Sequence, residues 1–266
     1  MKPLDEAART PSGKPASRAI LLLAGRARRL GSLTDTRPKC LVDVGGSSIL
    51  ERALERLSES EIREVVLVVG YEAESIREFA GTTCRGMDVR YVHNERYLET
   101  NTAYSLWLAR EYLGTRVLLL EGDILFDGKA LERLQAEANE GSAWAALPVN
   151  ARRDEGILLG RGDGGEVRHV ALVRDPKQRP SSLTHKCAGI QLLSEPTARA
   201  LGASLEEAME DGGARVFADL VLGGLLEHHP VRLCSLEGIG WAEIDDPADL
   251  AYSETVFGSD RVPSRG

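Results

Sequence analysis

Four short apolar runs do most to fix what this chain can fold into. Ala19–Leu23, Glu64–Gly70, Val89–His93 and Val117–Leu120 have strand length. Between them lie segments of amphipathic helical period, Ile49–Ser58, Glu72–Ala80 and Thr102–Leu113. Strands separated by helices in this way cannot be joined as hairpins. They require a parallel sheet with right-handed crossovers.

The second half is less regular. Ala143–Val149, Ile157–Gly160, Val167–Val173 and Cys187–Leu193 read as strands, with a hairpin expected across the Gly160–Gly165 turn. Helices are expected at Pro196–Leu201 and Ala214–Glu227, and a strand at Val231–Ser235. A terminal helix starts with Asp246 as N-cap and Pro247 in its first position. The fold class expected is α/β: a Rossmann-like three-layer arrangement with a mixed, mostly parallel sheet and helices on both faces. Ligands should then lie beyond the carboxyl ends of the strands.

The chain has 266 residues, 42% of them hydrophobic, enough for one domain with a sizeable core. Residues 19–256 are read as that domain. Met1–Arg18 is polar with three prolines and reads as a disordered tail, and residues 257–266 as a flexible one. The net charge of −8 is spread without an acidic or basic block, which argues against a nucleic-acid partner. No apolar run approaches a membrane span, and the N-terminus has no apolar signal core, so no membrane partner is expected. Four scattered cysteines without metal spacing fit a reducing cytoplasm.

The run Ala19–Leu23 leads directly into Ala24-Gly25 and a loop carrying Arg26, Arg28, Arg29 and Lys39. Small residues let a polyanion approach the backbone amides, and the cations neutralise it. No Lys-Ser or Lys-Thr follows Gly31, so this is not a Walker loop, and no G-x-G-x-x-G passes through Gly25. Two further strands end in carboxylates. Leu118-Leu119-Leu120-Glu121-Gly122-Asp123 places Asp123 at the ligand edge, where it could equally cap the helix beginning near Lys129. In Trp241-Ala242-Glu243-Ile244-Asp245-Asp246, Asp246 has the capping role and Asp245 has none. Two aspartates facing a phosphate loop make an oxygen-only site of the kind Mg²⁺ prefers.

The order L-[AL]-A-G-x-[GA]-x-R with P-K about ten residues on resembles the signature loop of nucleotidyltransferases that activate sugar phosphates and small phospho-alcohols. The resemblance implies that Leu23, Ala24, Gly25, Arg26, Ala27, Arg28, Arg29 and Gly122 wrap a nucleoside triphosphate. It gives Arg29, Lys39, Asp123 and Asp245 catalytic roles, with one Mg²⁺ held by Asp123 and Asp245. Where the family has glycine this chain has Ala27, which is strained only if its φ is positive. The stretch Asn94-Glu95-Arg96-Tyr97 to Ser105-Leu106 resembles the branch that makes CDP-linked small molecules, which adds Asn101 and Ser105 to the nucleotide site.

These resemblances imply CMP transfer from CTP to a small phosphate- or phosphonate-bearing acceptor. Lys186, just before the strand Cys187–Leu193, is placed to meet the acceptor phosphate, and Glu243 is a second candidate acceptor contact. The alternative within the family is a sugar-1-phosphate or cyclitol-phosphate nucleotidyltransferase using UTP, dTTP or GTP. A third reading is a nucleotide-binding regulatory module without catalysis. A homodimer is compatible with all three.

Overall fold

The computed structural model describes residues 16–150 and 153–258. β1 (Arg18–Leu22), β2 (Glu64–Val69), β3 (Met87–His93) and β4 (Val117–Glu121) are parallel neighbours in the order β4-β1-β2-β3. Val65 to Val69 are wholly buried, which is why that run carries no polar residue. Next come β5 (Ile124–Phe126), β6 (Ser142–Pro148), β7 (Gly156–Arg161), β8 (Val167–Val173), β9 (His185–Leu193), β10 (Val231–Ser235) and β11 (Trp241–Glu243). β9 runs antiparallel to β4, β6 and β7, and β10 lies parallel to β6. The expected hairpin is present as β7 and β8. The sheet is therefore mixed, parallel at its centre and antiparallel where the hairpin joins.

Alternate strand residues feed two cores. Leu21, Leu67 and Leu120 pack beneath α1 (Ile49–Glu59), α2 (Ala73–Ala80) and α4 (Lys129–Ala138). Ile20, Val66 and Leu119 pack on the other face, against α3 (Thr102–Leu108), α5 (Glu195–Glu210) and α6 (Ala218–Gly223). α1 starts where Ser48 accepts a hydrogen bond from the Glu51 amide at 3.1 Å. The last helix, α7 (Pro247–Phe257), opens with a capping box of Asp246 and Asp249 and with Pro247 in its first turn.

Several boundaries differ from expectation. The helix expected at Pro196–Leu201 runs on to Glu210, because Leu205 is buried and Glu206 pairs with Arg110 at 3.0 Å. The helix expected over Ala214–Glu227 shrinks to Ala218–Gly223, ending at Gly223-Gly224. The tail expected over Met1–Arg18 is shorter at its inner end. Ala16 packs in the core, the Ser17 carbonyl accepts from the Arg63 and Glu64 amides, and Arg18 opens β1. Phe257, expected in the C-terminal tail, is buried and its carbonyl accepts from Arg52 at 3.2 Å. Residues 1–15 and 259–266 lie outside the described residues. Among the described residues no helix is long and apolar enough to cross a membrane.

Candidate active site

The loop after β1 is held at its foot by backbone. The Leu23 amide donates to Val68 O at 2.8 Å and the Tyr71 amide to Ala24 O at 3.0 Å. Two glycines make room for it. A Cβ on Gly70 would stand 2.8 Å from Ala24 O, and one on Gly122 2.7 Å from Leu22 O. Both distances are too short for any other residue without shifting main chain. Past Gly25 the loop opens: among the described residues the amides of Gly25, Arg26 and Ala27 donate to nothing. Ala27 has φ −77°, so alanine sits here without strain where the family has glycine. Arg26, Arg28 and Arg29 are exposed, with Arg26 stacked 5.1 Å over the Tyr71 ring.

Asp123 and Asp245 are far apart in sequence and are joined by a two-stranded ladder. β5 and β11 pair antiparallel with Ile124 opposite Glu243, and the Ile244 amide donates to Asp123 O at 2.9 Å. Asp123 has no capping role, since the turn before α4 uses Asp127, whose carboxylate takes the Lys129 amide at 2.9 Å. Lys39 reaches between the two aspartates. Its ammonium donates to Asp123 Oδ2 at 2.9 Å and to Asp245 Oδ1 at 2.8 Å, and Arg29 adds a contact to Asp245 Oδ1 at 2.9 Å. Burial alone would pull the Lys39 ammonium down; the carboxylates of Asp123 and Asp245 more than reverse this and hold it raised. Burial pushes the Asp245 carboxyl up, but Lys39 and Arg29 leave it below the usual carboxylate range.

On the inner side Glu121, Asp123 and Glu243 can each turn an oxygen to within 4.8 Å of the others. Among the described residues Asp123 Oδ1 is buried without a hydrogen-bond partner. The oxygen-only grouping is thus Asp123 with Glu121 and Glu243, whereas the expected pairing of Asp123 with Asp245 is bridged by an ammonium. Lys186, expected near the acceptor, pairs with Glu243 at 3.1 Å. Burial pushes the Glu243 carboxyl up to about 6, with Lys186 pulling it down and Asp123 and Asp245 adding to the rise. Burial, with Asp219, Asp123 and Glu243 close by, drives Glu121 well above the usual range.

These groups line one cleft of about 800 Å³ at the carboxyl ends of the central strands. Leu23, Gly25, Arg26, Ala27, Arg28, Arg29, Lys39, Asn101, Gly122, Asp123, Lys186, Glu243 and Asp245 are all on its walls. Two expected nucleotide contacts are not. Ala24 is buried under the loop, its backbone spent on Tyr71. Ser105 is buried in α3 and accepts from Asn94 Nδ2 at 3.0 Å. Asn94 also donates to Thr100 and accepts from the Arg96 amide, so the Asn94–Ser105 pattern ties a loop together. Asn101 caps α3 and donates nothing to that lock; its oxygen takes the Thr102 amide at 2.8 Å. Sequence reasoning missed Glu121, Leu172 and Phe217 on the cleft wall. The signal for Glu121 was a charge closing an apolar strand at the ligand edge.

Residues 19–228 match the family model of the MobA-like NTP transferase domain. A CMP-5'-(3-aminopropyl)phosphonate synthase of Streptomyces rubellomurinus is 34% identical over 96% of this chain and 41% of its own length. The chain spans about half the length, or less, of several such relatives. A choline-phosphate cytidylyltransferase of Streptococcus pneumoniae is 26% identical, over 90% of this chain and 98% of its own. Among solved structures, the CTP:phosphocholine cytidylyltransferase of Streptococcus pneumoniae superposes with a TM-score of 0.75 at 23% identity, covering 90% of this chain and 98% of that one. The inositol-1-phosphate CTP transferase of T. maritima gives 0.74 at 19%, covering 94% and 99%.

Proposed function

The chain belongs to the MobA-like NTP transferase domain family, and on that premise we propose that it transfers CMP from CTP to a small phosphate- or phosphonate-bearing acceptor, releasing pyrophosphate. One observation carries the reading: Lys39, Asp123 and Asp245 meet directly below a loop whose amides and arginines face a cleft. The names of the relatives that act on phosphonate and choline phosphate support the choice of CTP and of acceptor class.

The reaction joins two polyanions. An acceptor oxygen, already anionic near neutral pH, attacks the α-phosphorus of CTP, and the bond to the pyrophosphate oxygen breaks. No general base is required, so the protein must supply cations and alignment. The free amides of Gly25 to Ala27 and the Arg26, Arg28 and Arg29 guanidiniums grip the triphosphate. Lys39 follows the charge that grows on the leaving pyrophosphate. Lys186 stands on the inner side, where it faces the acceptor's anionic head.

The donor set fits a hard divalent ion. Every candidate ligand is a carboxylate, and the buried, unpartnered Asp123 Oδ1 needs a cation or a donor. Asp123 and Asp245 would hold Mg²⁺, with Glu121 and Glu243 beside Asp123. Bound there, Mg²⁺ would polarise the α-phosphate and offset its charge. Four free, buried cysteines support a reducing cytoplasm.

The test is a pyrophosphate-release screen of CTP, UTP, dTTP, GTP and ATP against phosphate, phosphonate and sugar-1-phosphate acceptors. CTP should be preferred by at least several-fold in kcat/KM, because UTP presents an acceptor where CTP presents an amino donor, at about 1–3 kcal/mol for each unmatched group. Equal or better turnover with UTP or dTTP on a sugar phosphate would refute the reading.

A further inference from the structure

We infer that Gly156 is a positioning residue for the acceptor: it keeps clear the space in which the Lys186 ammonium stands, and so sets where the acceptor's anionic head docks. This deepens the transfer reading above and rests on it. Strand geometry brings the two residues together. β7 and β9 run antiparallel with Leu158 opposite Lys186. Gly156 comes two residues before Leu158, so it lies on the same face of β7, at the end that reaches the cleft wall. A lysine is long enough to cross from its own register position to that diagonal neighbour. Here it does so, because a Cβ built on Gly156 would overlap Lys186 Nζ and touch Lys186 Cε at 3.6 Å. The backbone gives a second, independent reason for glycine, since φ at Gly156 is +89°. Both residues line the cleft.

What the glycine secures is the place of one charge. Glu243 holds the ammonium from the other side, at 3.1 Å from Oε2 and 3.4 Å from Oε1, and only 11% of the lysine side chain is exposed. The same ammonium acts through space on Glu121 and Asp219. An ammonium carries three donors, so its contact with Glu243 leaves capacity for an anion. The acceptor's phosphate or phosphonate must enter beside Glu121, Asp123 and Glu243. Whether it meets a cation or carboxylates there turns on about an ångström in the placing of Nζ. A methyl group at position 156 would press on the free end of a flexible side chain rather than on main chain. The fold can yield to it, but the ammonium cannot keep its place. Gly156 thus acts on the acceptor through Lys186.

The experiment compares Gly156→Ala with Gly238→Ala. Gly238 has a similar φ, +80°, but stands in open space off the cleft wall, so its variant reports the cost of alanine in this backbone conformation alone. Pyrophosphate release from CTP is followed with 3-aminopropylphosphonate and with choline phosphate. Gly156→Ala should raise KM for both acceptors by about 10-fold or more and change KM for CTP by less than about 2-fold, while Gly238→Ala moves neither. Made in a Lys186→Met background, Gly156→Ala should add less than about 2-fold to the acceptor KM. The inference is overturned if Gly156→Ala leaves acceptor KM unchanged, raises KM for CTP as much, or is matched by Gly238→Ala. It is also overturned if the effect persists in full without Lys186. Should Lys186→Met fail to fold, the two glycine variants still decide. If the wild type releases pyrophosphate with neither acceptor, the transfer reading fails on its own, and methylphosphonate is titrated into the CTP-loaded proteins by phosphorus NMR. Binding weakened about 10-fold or more in Gly156→Ala but not in Gly238→Ala upholds the anion seat at Lys186. Any other pattern overturns it.

Discussion

Replacing Lys39 with alanine should destabilise the protein in a way that Mg²⁺ reverses. The ammonium is 2.9 Å from Asp123 and 2.8 Å from Asp245, with only 12% of its side chain exposed. Removing one partner of a buried ion pair leaves charge uncompensated, at about 3–5 kcal/mol. Here two carboxylates are left facing each other, but they are 26% and 30% exposed, so water screens part of the loss. About 2–3 kcal/mol is the expected net cost. For a domain of this size that lowers Tm by roughly 5–10 °C. Millimolar Mg²⁺ should return most of it, because the ion answers the same two carboxylates, and should raise the variant's Tm more than the wild type's. In turnover, kcat should fall by about 100-fold while KM for CTP rises by much less, since the lysine meets charge that grows on the leaving group. Thermal melts with and without Mg²⁺, beside steady-state pyrophosphate release, read both effects. A variant that melts like wild type without metal, or gains no extra stability from it, would refute the reasoning. Unchanged kinetics would make the Pro38-Lys39 step a surface loop.

Asp123→Ala and Asp245→Ala should each reduce turnover by about 1000-fold or more while folding normally by circular dichroism; a near wild-type rate at saturating Mg²⁺ would remove them from the metal site. Gly122→Ala should cost about 1–3 kcal/mol and raise KM for the nucleotide, because its Cβ would meet Leu23 Cδ2 at 2.6 Å and the main chain at 2.7 Å; unchanged melting and KM would count against the loop seat. Glu243, raised to about 6 from an ordinary 4.5, binds its proton more tightly in the folded state. Its contribution of about 2 kcal/mol is fully present below its unfolded pKa and is lost as pH rises through about 6. Urea melts of wild type minus Glu243→Gln without Mg²⁺ should show that loss, and a flat difference from pH 4 to 7 would contradict it.

The parallel half of the sheet was legible because strands buried on both faces leave unbroken apolar runs, as Val65 to Val69 do. Lys39, Asp123 and Asp245 were legible because each follows a local signal, whether the Pro38-Lys39 step or a strand ending in a carboxylate. What could not be read was who touches whom. Ser105, expected at the nucleotide, is buried off the cleft wall, where it accepts from Asn94. α5 passes through Gly202, a residue that reads as a stop, because packing of Leu205 outweighs a local penalty of about 1 kcal/mol. Glu121 escaped notice because an acidic residue at a strand end is ordinary in sequence. Only the fold shows that it closes on Asp123 and Glu243 at the cleft.

The loop after β1 has a clamped foot and a free tip, and so works as a cantilever. Hydrogen bonds to Val68 and Tyr71, with Gly70 and Gly122 pressed against the main chain, fix its root on the buried centre of the sheet. From Gly25 onward it can bend. The next firm hold is the Thr34 hydroxyl, which donates to Ala27 O at 2.6 Å from the far end of the arc. Deflection is thus confined to residues 25–27, and Arg26 among them can swing toward an arriving triphosphate while Arg29 stays paired with Asp245 and the carboxylates below keep their positions. Bending freedom and positional accuracy, which usually compete within one loop, are assigned here to its two ends.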